Sequence, residues 1–205
     1  ERIIITYLMI SFLMGFNDKV FASEWNNFKV PESVNVDPEN GDLFVSNING
    51  KPTEKNNEGY ITKIYSDGKR EDYFASNKKD RSTVLNAPKG LIILRDMIFV
   101  TDIDHIRVFS KNSGKSISNI DLTIHGASFL NDITFDKDSN LYVTDTANNM
   151  IIKIDTLDNK YNSSIFIKSD VLDGPNGIIY FSRDHKLLVA SWNAGKVFVV
   201  SLMGK

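Results

Sequence analysis

A sequence pattern that repeats four times constrains the fold of this chain more than any other feature. Each copy pairs a short β-rich run with a second one across a turn rich in Asp, Asn and Gly, residues that suit tight turns. The intervals between copies are roughly 40 to 60 residues, the range of a repeat unit built from several strands. The four copies begin at Pro31, Pro88, Leu130 and Pro175.

The third copy contains the full set of strands that the pattern predicts. Its first strand is expected within residues 132–135 and its second within 141–144, joined by the turn DKDSN. A third strand is expected within 150–154 and a weaker outer strand within 164–167. The apolar runs are rich in β-branched residues and have no helical periodicity. Four-stranded units at this spacing predict an all-β chain, a β-propeller of about four blades.

The fourth copy ends at Lys205, before its outer strand. Four blades without that strand make an incomplete ring, with strand edges and sheet faces left uncovered. We therefore expect a partial propeller domain over residues 23–205, with blades starting near residues 31, 88, 130 and 175. We also expect the natural protein to continue beyond Lys205.

The first 22 residues have the pattern of a secretory signal peptide. Arg2 precedes an apolar run over residues 3–16, and residues 20–22 (VFA) are small or apolar where a signal peptidase would cut. The run is shorter than the ~20 apolar residues that span a bilayer. The sequence thus predicts a secreted or periplasmic protein. The alternative is an uncleaved anchor, which would be the protein's one attachment to a membrane.

Composition excludes several classes of function. The net charge of -2 and the pI of about 5.9 argue against nucleic-acid binding, which favours a basic surface. The chain has no cysteine, which excludes disulfides, thiolate zinc sites and cysteine nucleophiles. Ser-His-Asp order, a phosphate-binding loop and an HExxH motif are all absent from the sequence.

Equivalent positions of the repeat carry the candidate functional site. The first strand of each blade lines the channel of a propeller, so the residues at its start point towards a common axis. Three of these four residues carry side-chain oxygens, the ligands that Ca²⁺ prefers. The ring residues are Glu32, Lys89, Asn131 and Asn176. They predict a site for a divalent cation at the channel.

The residue types leave alternatives open at this site. Asn131 and Asn176 could instead shape the turns that enter their strands, because Asn is an ordinary turn residue. Lys89 could pair with Glu32 or face a different part of the channel. Zinc is a poorer match than calcium, because no cysteine exists and no histidine lies at this level of the repeat.

Residues near the ring are weaker candidates. Asp102 and Asp145 both follow a Thr at the end of a second strand, and this repetition predicts structural turn caps. His125 lies six residues upstream of Asn131 and is a candidate substrate contact near the channel mouth. Trp192 could wall a pocket, with core or edge packing as the alternative.

Three segments resemble one family of propellers. They are PESVNVDPENGDLFVSN, FLNDITFDKDSNLYVTDT and GPNGIIYFSRDHKLLVASW, which place an acid in the first blade, an ND in the third and a PNG in the fourth. In this order they are similar to the gluconolactonase, senescence-marker-protein and luciferin-regenerating-enzyme superfamily of six-bladed propellers. The resemblance covers residues 31–205 and implies four blades of a six-bladed ring.

This resemblance implies a divalent cation, often calcium, in the central channel. Glu32 would be its carboxylate ligand, Asn176 an amide ligand, and Asn131 a ligand or a substrate contact. The family's catalytic Asp would lie about one blade further on, beyond Lys205, so the general base is left unassigned. Here Ser33 and Val34 follow the glutamate where the family usually has Gly-Pro or a similar pair.

Two functions follow from these features. The first is a secreted, metal-dependent hydrolase that acts on a lactone or a related small ester, with Asn131, Lys89 and His125 as substrate contacts. The cation would polarise the carbonyl group and acidify bound water. The second is a non-catalytic propeller that binds a small ligand or a protein partner, as NHL-type propellers do. Lys89 in the ring favours the second, and the oligomeric state is left open.

Overall fold

The computed structural model describes residues 24–157 and 160–202, which form four antiparallel sheets. Blade 1 consists of β1 (Pro31–Val36), β2 (Leu43–Asn47), β3 (Tyr60–Ile64) and β4 (Arg70–Ala75). Blade 2 consists of β5 (Pro88–Leu94), β6 (Met97–Asp102), β7 (His105–Ser110) and β8 (Ser116–Asp121). Blade 3 consists of β9 (Leu130–Phe135), β10 (Leu141–Asp145), β11 (Met150–Asp155) and β12 (Asn162–Lys168). Blade 4 consists of β13 (Pro175–Phe181), β14 (Lys186–Ser191) and β15 (Val197–Ser201).

The prediction of an all-β propeller of four blades is confirmed. Within each sheet the strands follow one another as a simple meander, and the first strand lies at the inner edge. The inner strands of successive blades contact each other, β1 with β5, β5 with β9 and β9 with β13, so they surround a common channel. Short 3₁₀ turns lie at Thr123–His125 and Asp170–Leu172. The predicted signal peptide lies outside the described residues, and no helix in the described part is long and apolar enough to span a membrane.

Most of the hydrophobic core lies between the blades in three large layers. When two sheets pack face to face, each buries every second side chain of its strands against the other. Removing these apolar side chains from water is the main driving force for folding. Phe44, Leu91 and Phe109 belong to the layer between blades 1 and 2. Phe99 and Val143 belong to the layer between blades 2 and 3. A third layer between blades 3 and 4 is built around Tyr142, Ile178 and Val189.

The outward faces of blades 1 and 4 expose apolar side chains. Val34 and Val36 of β1 are 61% and 53% exposed, and Val197 and Val199 of β15 are 68% and 61% exposed. In each strand these valines alternate with less exposed residues, so they lie together on one face of the sheet. The four described blades thus form an open arc with an apolar face at each end.

The repeated acids at the ends of the second strands cap the chain segments that enter the inner strands, as predicted. The Asp102 carboxylate accepts hydrogen bonds from the backbone N–H groups of Asn86 and Ala87, at 3.1 and 2.8 Å. The Asp145 carboxylate accepts one from Ser128 N–H at 2.8 Å. Each cap fixes the approach to a ring residue, Lys89 in blade 2 and Asn131 in blade 3.

Candidate functional site

A β-bulge at the start of each inner strand sets the direction of the ring residues. In blade 1, Pro31 pairs with Asn47 and Ser33 pairs with Ser46, so Glu32 is one extra residue opposite the partner strand. The other three inner strands have the same one-residue irregularity directly after Pro88, Leu130 and Pro175. A bulge takes its extra residue out of the ladder and re-aims its side chain. This local geometry turns the four ring residues towards the channel.

A hydroxyl group on the second strand of blades 1, 2 and 3 connects the bulge of its own blade to the ring residue of the next blade. The three hydroxyl groups lie opposite the bulges and donate hydrogen bonds of 2.6 Å to main-chain carbonyl oxygens of the next blade. The pairs are Ser46 with Lys89, Thr101 with Asn131, and Thr144 with Asn176. Ser46 and Thr144 also accept hydrogen bonds from backbone N–H groups that the bulge leaves unpaired, those of Ser33 and Asp132. Ring residues are therefore positioned from the neighbouring blade as well as from their own.

Removal of one of these hydroxyl groups is expected to weaken the fold. Thr144→Val leaves the Asp132 N–H and the Asn176 carbonyl without their buried partner, which is expected to cost ~1–3 kcal/mol of unfolding free energy. Thr144→Ser keeps the hydroxyl and is the matched control, with an expected loss of under ~1 kcal/mol for one methyl group. Urea denaturation of the three proteins measures the difference. Equal destabilisation by both substitutions would contradict a role for the hydroxyl group.

The four ring residues line one cleft at the channel mouth, with a volume of about 280 Å³. Its lining residues are Glu32, Pro52, Lys89, Phe129, Asn131, Thr146, Asn176 and Trp192. Polar groups of both charge signs thus meet aromatic side chains in a space of small-molecule size. The structure brings together every ring residue that the repeat placed at this level.

Lys89 is the buried charged group of the cleft, with a relative exposure of 2%. Its Nζ donates a hydrogen bond to the Ala87 carbonyl oxygen at 3.2 Å and lies 4.6 Å from the centre of the Phe129 ring. Burial lowers the pKa of the Lys89 ammonium, and the carboxylates of Asp102, Glu32 and Asp145 oppose this lowering. The cleft therefore has a cation at its base.

The other polar ring side chains are available to a ligand. The side-chain amides of Asn131 and Asn176 are half-buried, and neither has a hydrogen-bond partner among residues 24–157 and 160–202. Glu32 is exposed at the mouth of the cleft. Each side-chain amide offers two N–H donors and a carbonyl acceptor. Two amides without a protein partner, in one cleft, are placed to bond a molecule that enters it.

Two neighbouring residues differ from their predicted roles. His125 does not line the cleft: its Nε2 lies 2.9 Å from Ser163 Oγ on β12, the outermost strand of blade 3. The 3₁₀ turn at Thr123–His125 directs the imidazole of His125 towards this outer edge. The prediction that His125 lies near the channel mouth is therefore wrong. Trp192 does line the cleft and is 75% exposed, which agrees with a pocket wall and excludes core packing.

Asp132 is a channel carboxyl that sequence reasoning missed. It lines the wider channel below the cleft, together with Ser33, Thr134 and Gly177. Its Oδ2 accepts a hydrogen bond from Ile178 N–H at 2.9 Å, which joins blade 3 to blade 4. Burial raises the pKa of Asp132 despite that bond. The signal was present in the ND motif, where only Asn131 was assigned a role.

The residues of the cleft do not by themselves fit a divalent cation. Calcium takes six to eight oxygen ligands and favours several carboxylates, whereas the cleft offers the one carboxylate of Glu32 and two amides. Across the described ranges, no group of three or more His, Cys, Asp or Glu side chains is arranged to hold a metal ion. The Lys89 ammonium already places a positive charge against the same space, and a second one there would be repelled.

Fold and cleft together define a β-propeller with a polar cleft at the start of its inner strands. Solved structures with a similar fold include virginiamycin B lyase from Staphylococcus aureus, at a TM-score of 0.56 and 17% identity over 83% of this chain. They also include a luciferin-regenerating enzyme, at 0.62 and 14% over 85%, and a streptogramin B lyase, at 0.54 and 18% over 82%. At these identities the likeness establishes the propeller fold.

The chain spans 55%, 62% and 63% of the lengths of these three structures, respectively. No protein-family model matches the chain, and no curated protein matches it by sequence. The functional assignment therefore depends on the chemistry of the cleft.

Proposed function

We propose that the protein is a hydrolase that opens a lactone or a related small ester in the central cleft. The observation that carries the proposal is that Glu32, Lys89, Asn131 and Asn176 line one space of about 280 Å³. A carboxylate beside two unengaged amides and a buried ammonium is a set that can activate water and stabilise an oxyanion. The similarity to the gluconolactonase-type superfamily supports the lactone as substrate class.

Each ring residue has a defined part in the proposed reaction. Glu32 takes a proton from a water molecule as its oxygen attacks the carbonyl carbon, a role that suits an exposed carboxylate at the cleft mouth. The amide groups of Asn131 and Asn176 donate hydrogen bonds to the carbonyl oxygen as negative charge develops on it. The acyl C–O bond of the lactone then breaks, and the proton held by Glu32 passes to the leaving alkoxide. The product is a hydroxy acid.

The test is a hydrolysis assay in a pH-stat with aldonolactones and simple aryl esters. At least one substrate is expected to be hydrolysed ~10²-fold or more above the uncatalysed rate, the usual contribution of a positioned general base. The assay uses the purified protein, with heat-denatured protein as the blank. Absence of turnover across the panel would contradict the hydrolase.

A non-catalytic propeller is the second candidate, and the exposed Trp192 at the cleft mouth favours it. An aromatic face next to a few polar groups is typical of sites that bind a small molecule, and binding alone requires no reacting group. Quenching of tryptophan fluorescence by compounds that the protein does not hydrolyse would support this candidate. Trp25, the other tryptophan of the chain, is replaced by Phe so that Trp192 is the only indole observed.

Calcium held by Glu32, Asn131 and Asn176 remains an alternative proposal from the family resemblance. Calorimetric titration with CaCl₂ checks it, on the wild type and on Glu32→Gln. Calcium binding that disappears in the variant would support a calcium site at Glu32. Absence of calcium binding in the wild type would exclude that site.

Secretion or a periplasmic location is likewise proposed from the apolar run over residues 3–16. N-terminal sequencing of the exported protein is expected to begin at Ser23. A protein retained in the cytoplasm would contradict the signal peptide.

A further inference from the structure

Lys89 differs from the other buried lysines of the propeller in having no carboxylate partner. Lys63 lies 2.9 Å from Asp42, and Lys111 lies 3.1 Å from Asp37. Lys89 is at least as buried, but within the described ranges its one hydrogen bond goes to the Ala87 carbonyl oxygen. A buried ammonium is costly to desolvate. Lys89 offsets part of that cost with its bond to Ala87 and the face of the Phe129 ring, but two of its three N–H donors have no hydrogen-bond acceptor within the described ranges.

The carboxylates around Lys89 do not neutralise it within the protein. Asp102 is occupied by Arg107, whose Nε lies 2.9 Å away, and by the backbone groups that it caps. Asp145 is occupied by its own caps and by Asn148. Glu32 alone faces the cleft unengaged, and its influence on Lys89 is electrostatic and without a direct bond. Two ammonium donors therefore remain for a molecule in the cleft.

We propose that Lys89 supplies the positive charge of this site and that the cleft binds the carboxylate of a small hydroxy acid without a divalent cation. The carboxylate accepts charge-assisted hydrogen bonds from the ammonium. The amides of Asn131 and Asn176 bond the hydroxyl groups of the acid, and Trp192 covers its C–H face. The ligand class rests on the proposed function, because lactone hydrolysis yields a hydroxy acid.

Lys89 also has a part in the proposed reaction. In the lactone-bound state its ammonium lies on the side of the carbonyl oxygen, where it stabilises the charge that develops when water adds. In the product-bound state it holds the new carboxylate. A fixed ammonium can thus do in this cleft what a metal ion does in other hydrolases.

Calorimetric titration with sodium gluconate in EDTA tests the proposal, with sorbitol as the neutral counterpart of the same chain length. Gluconate is expected to bind at least about tenfold more tightly than sorbitol, and Lys89→Met is expected to lose that tenfold or more. Lys168→Met removes the same charge from an exposed edge-strand position and is expected to bind like the wild type. Replacing EDTA with CaCl₂ is expected to leave the gluconate affinity unchanged.

A second measurement keeps the test decisive if Lys89→Met does not fold. Gluconate affinity of the wild type is expected to fall about tenfold or more as pH rises through the pKa of Lys89, which burial holds below its ordinary value. The charged groups that face Lys89 are the carboxylates of Glu32, Asp102 and Asp145.

Several results would overturn the proposal. They are gluconate binding that requires calcium, binding no tighter than that of sorbitol, absence of binding, and unchanged binding by a folded Lys89→Met variant. The outcome is separable from that of the proposed function. Lactone turnover without gluconate binding in EDTA overturns Lys89 as the carboxylate site and leaves the hydrolase. Gluconate binding without any lactone turnover overturns the hydrolase and leaves Lys89 as the carboxylate site.

Discussion

Glu32→Gln is expected to lower the rate of lactone or ester hydrolysis by about 10²- to 10⁴-fold, because the amide cannot take the proton of the attacking water. Gln has nearly the same size and shape, and Glu32 is exposed without a hydrogen bond to the described part of the protein. The fold should therefore be unaffected. The loss is expected in kcat, since the proton is taken only as the transition state forms.

The matched control is Glu58→Gln, the same chemical change on an exposed loop residue that does not line the cleft. It is expected to hydrolyse at the wild-type rate. Initial rates across substrate concentrations separate kcat from KM for all three proteins. A Glu32→Gln enzyme with wild-type kcat would remove Glu32 from the reaction and favour the ligand-binding propeller.

Asp102→Ala is expected to cause the largest loss of stability, ~3–5 kcal/mol, because it breaks a buried ion pair and leaves one charge unpaired. Asp102 is fully buried and its Oδ2 accepts from Arg107 Nε at 2.9 Å. It also accepts from the N–H groups of Asn86 and Ala87, which lead into Lys89. The substitution thus leaves several buried donors without their acceptor, and it loosens the segment that leads into Lys89.

Two other acids calibrate this effect. Asp145→Ala removes a buried cap but no partner arginine, so its cost is expected to be smaller, ~1–3 kcal/mol. Asp138→Ala removes an exposed carboxylate whose ion pair is with exposed Lys137, and it is expected to change stability by under ~0.5 kcal/mol. Urea denaturation measures all three. Equal losses for Asp102→Ala and Asp138→Ala would contradict the account of the cap.

The repeat predicted the ring because it carries local information that survives in every blade. Strand, turn and strand recur with the same spacing, and the start of each inner strand must face the channel. This is why Glu32, Lys89, Asn131 and Asn176 could be aligned from sequence and do line one cleft. The four blades were predictable for the same reason.

Features that depend on contacts between distant segments could not be predicted in this way. His125 lies close to Asn131 in sequence, but its 3₁₀ turn carries it to Ser163, 38 residues further along. The bulges depend on the pairing register, which the sequence pattern does not reveal. The Thr before Asp145 was visible in sequence, whereas its bond to the Asn176 carbonyl of the next blade is visible only in the structure.

The isolation of Lys89 from any carboxylate also required the structure. From sequence, pairing with Glu32 was one of two readings of that position. The Lys89 ammonium is buried and bonds Ala87, and Asp102 is bonded to Arg107 instead. The remaining N–H donors of Lys89 are therefore available to the cleft. The buried lysine in this channel is the feature that the family resemblance did not predict.

The central claim is that the four ring residues form the ligand site, and side-chain amide NMR during a gluconate titration tests it most directly. Resonances are assigned by comparison with Asn131→Ala and Asn176→Ala. The account predicts that the side-chain amides of Asn131 and Asn176 and the indole N–H of Trp192 shift together at one affinity. Shifts confined to other parts of the molecule, with these three groups unchanged, would contradict it.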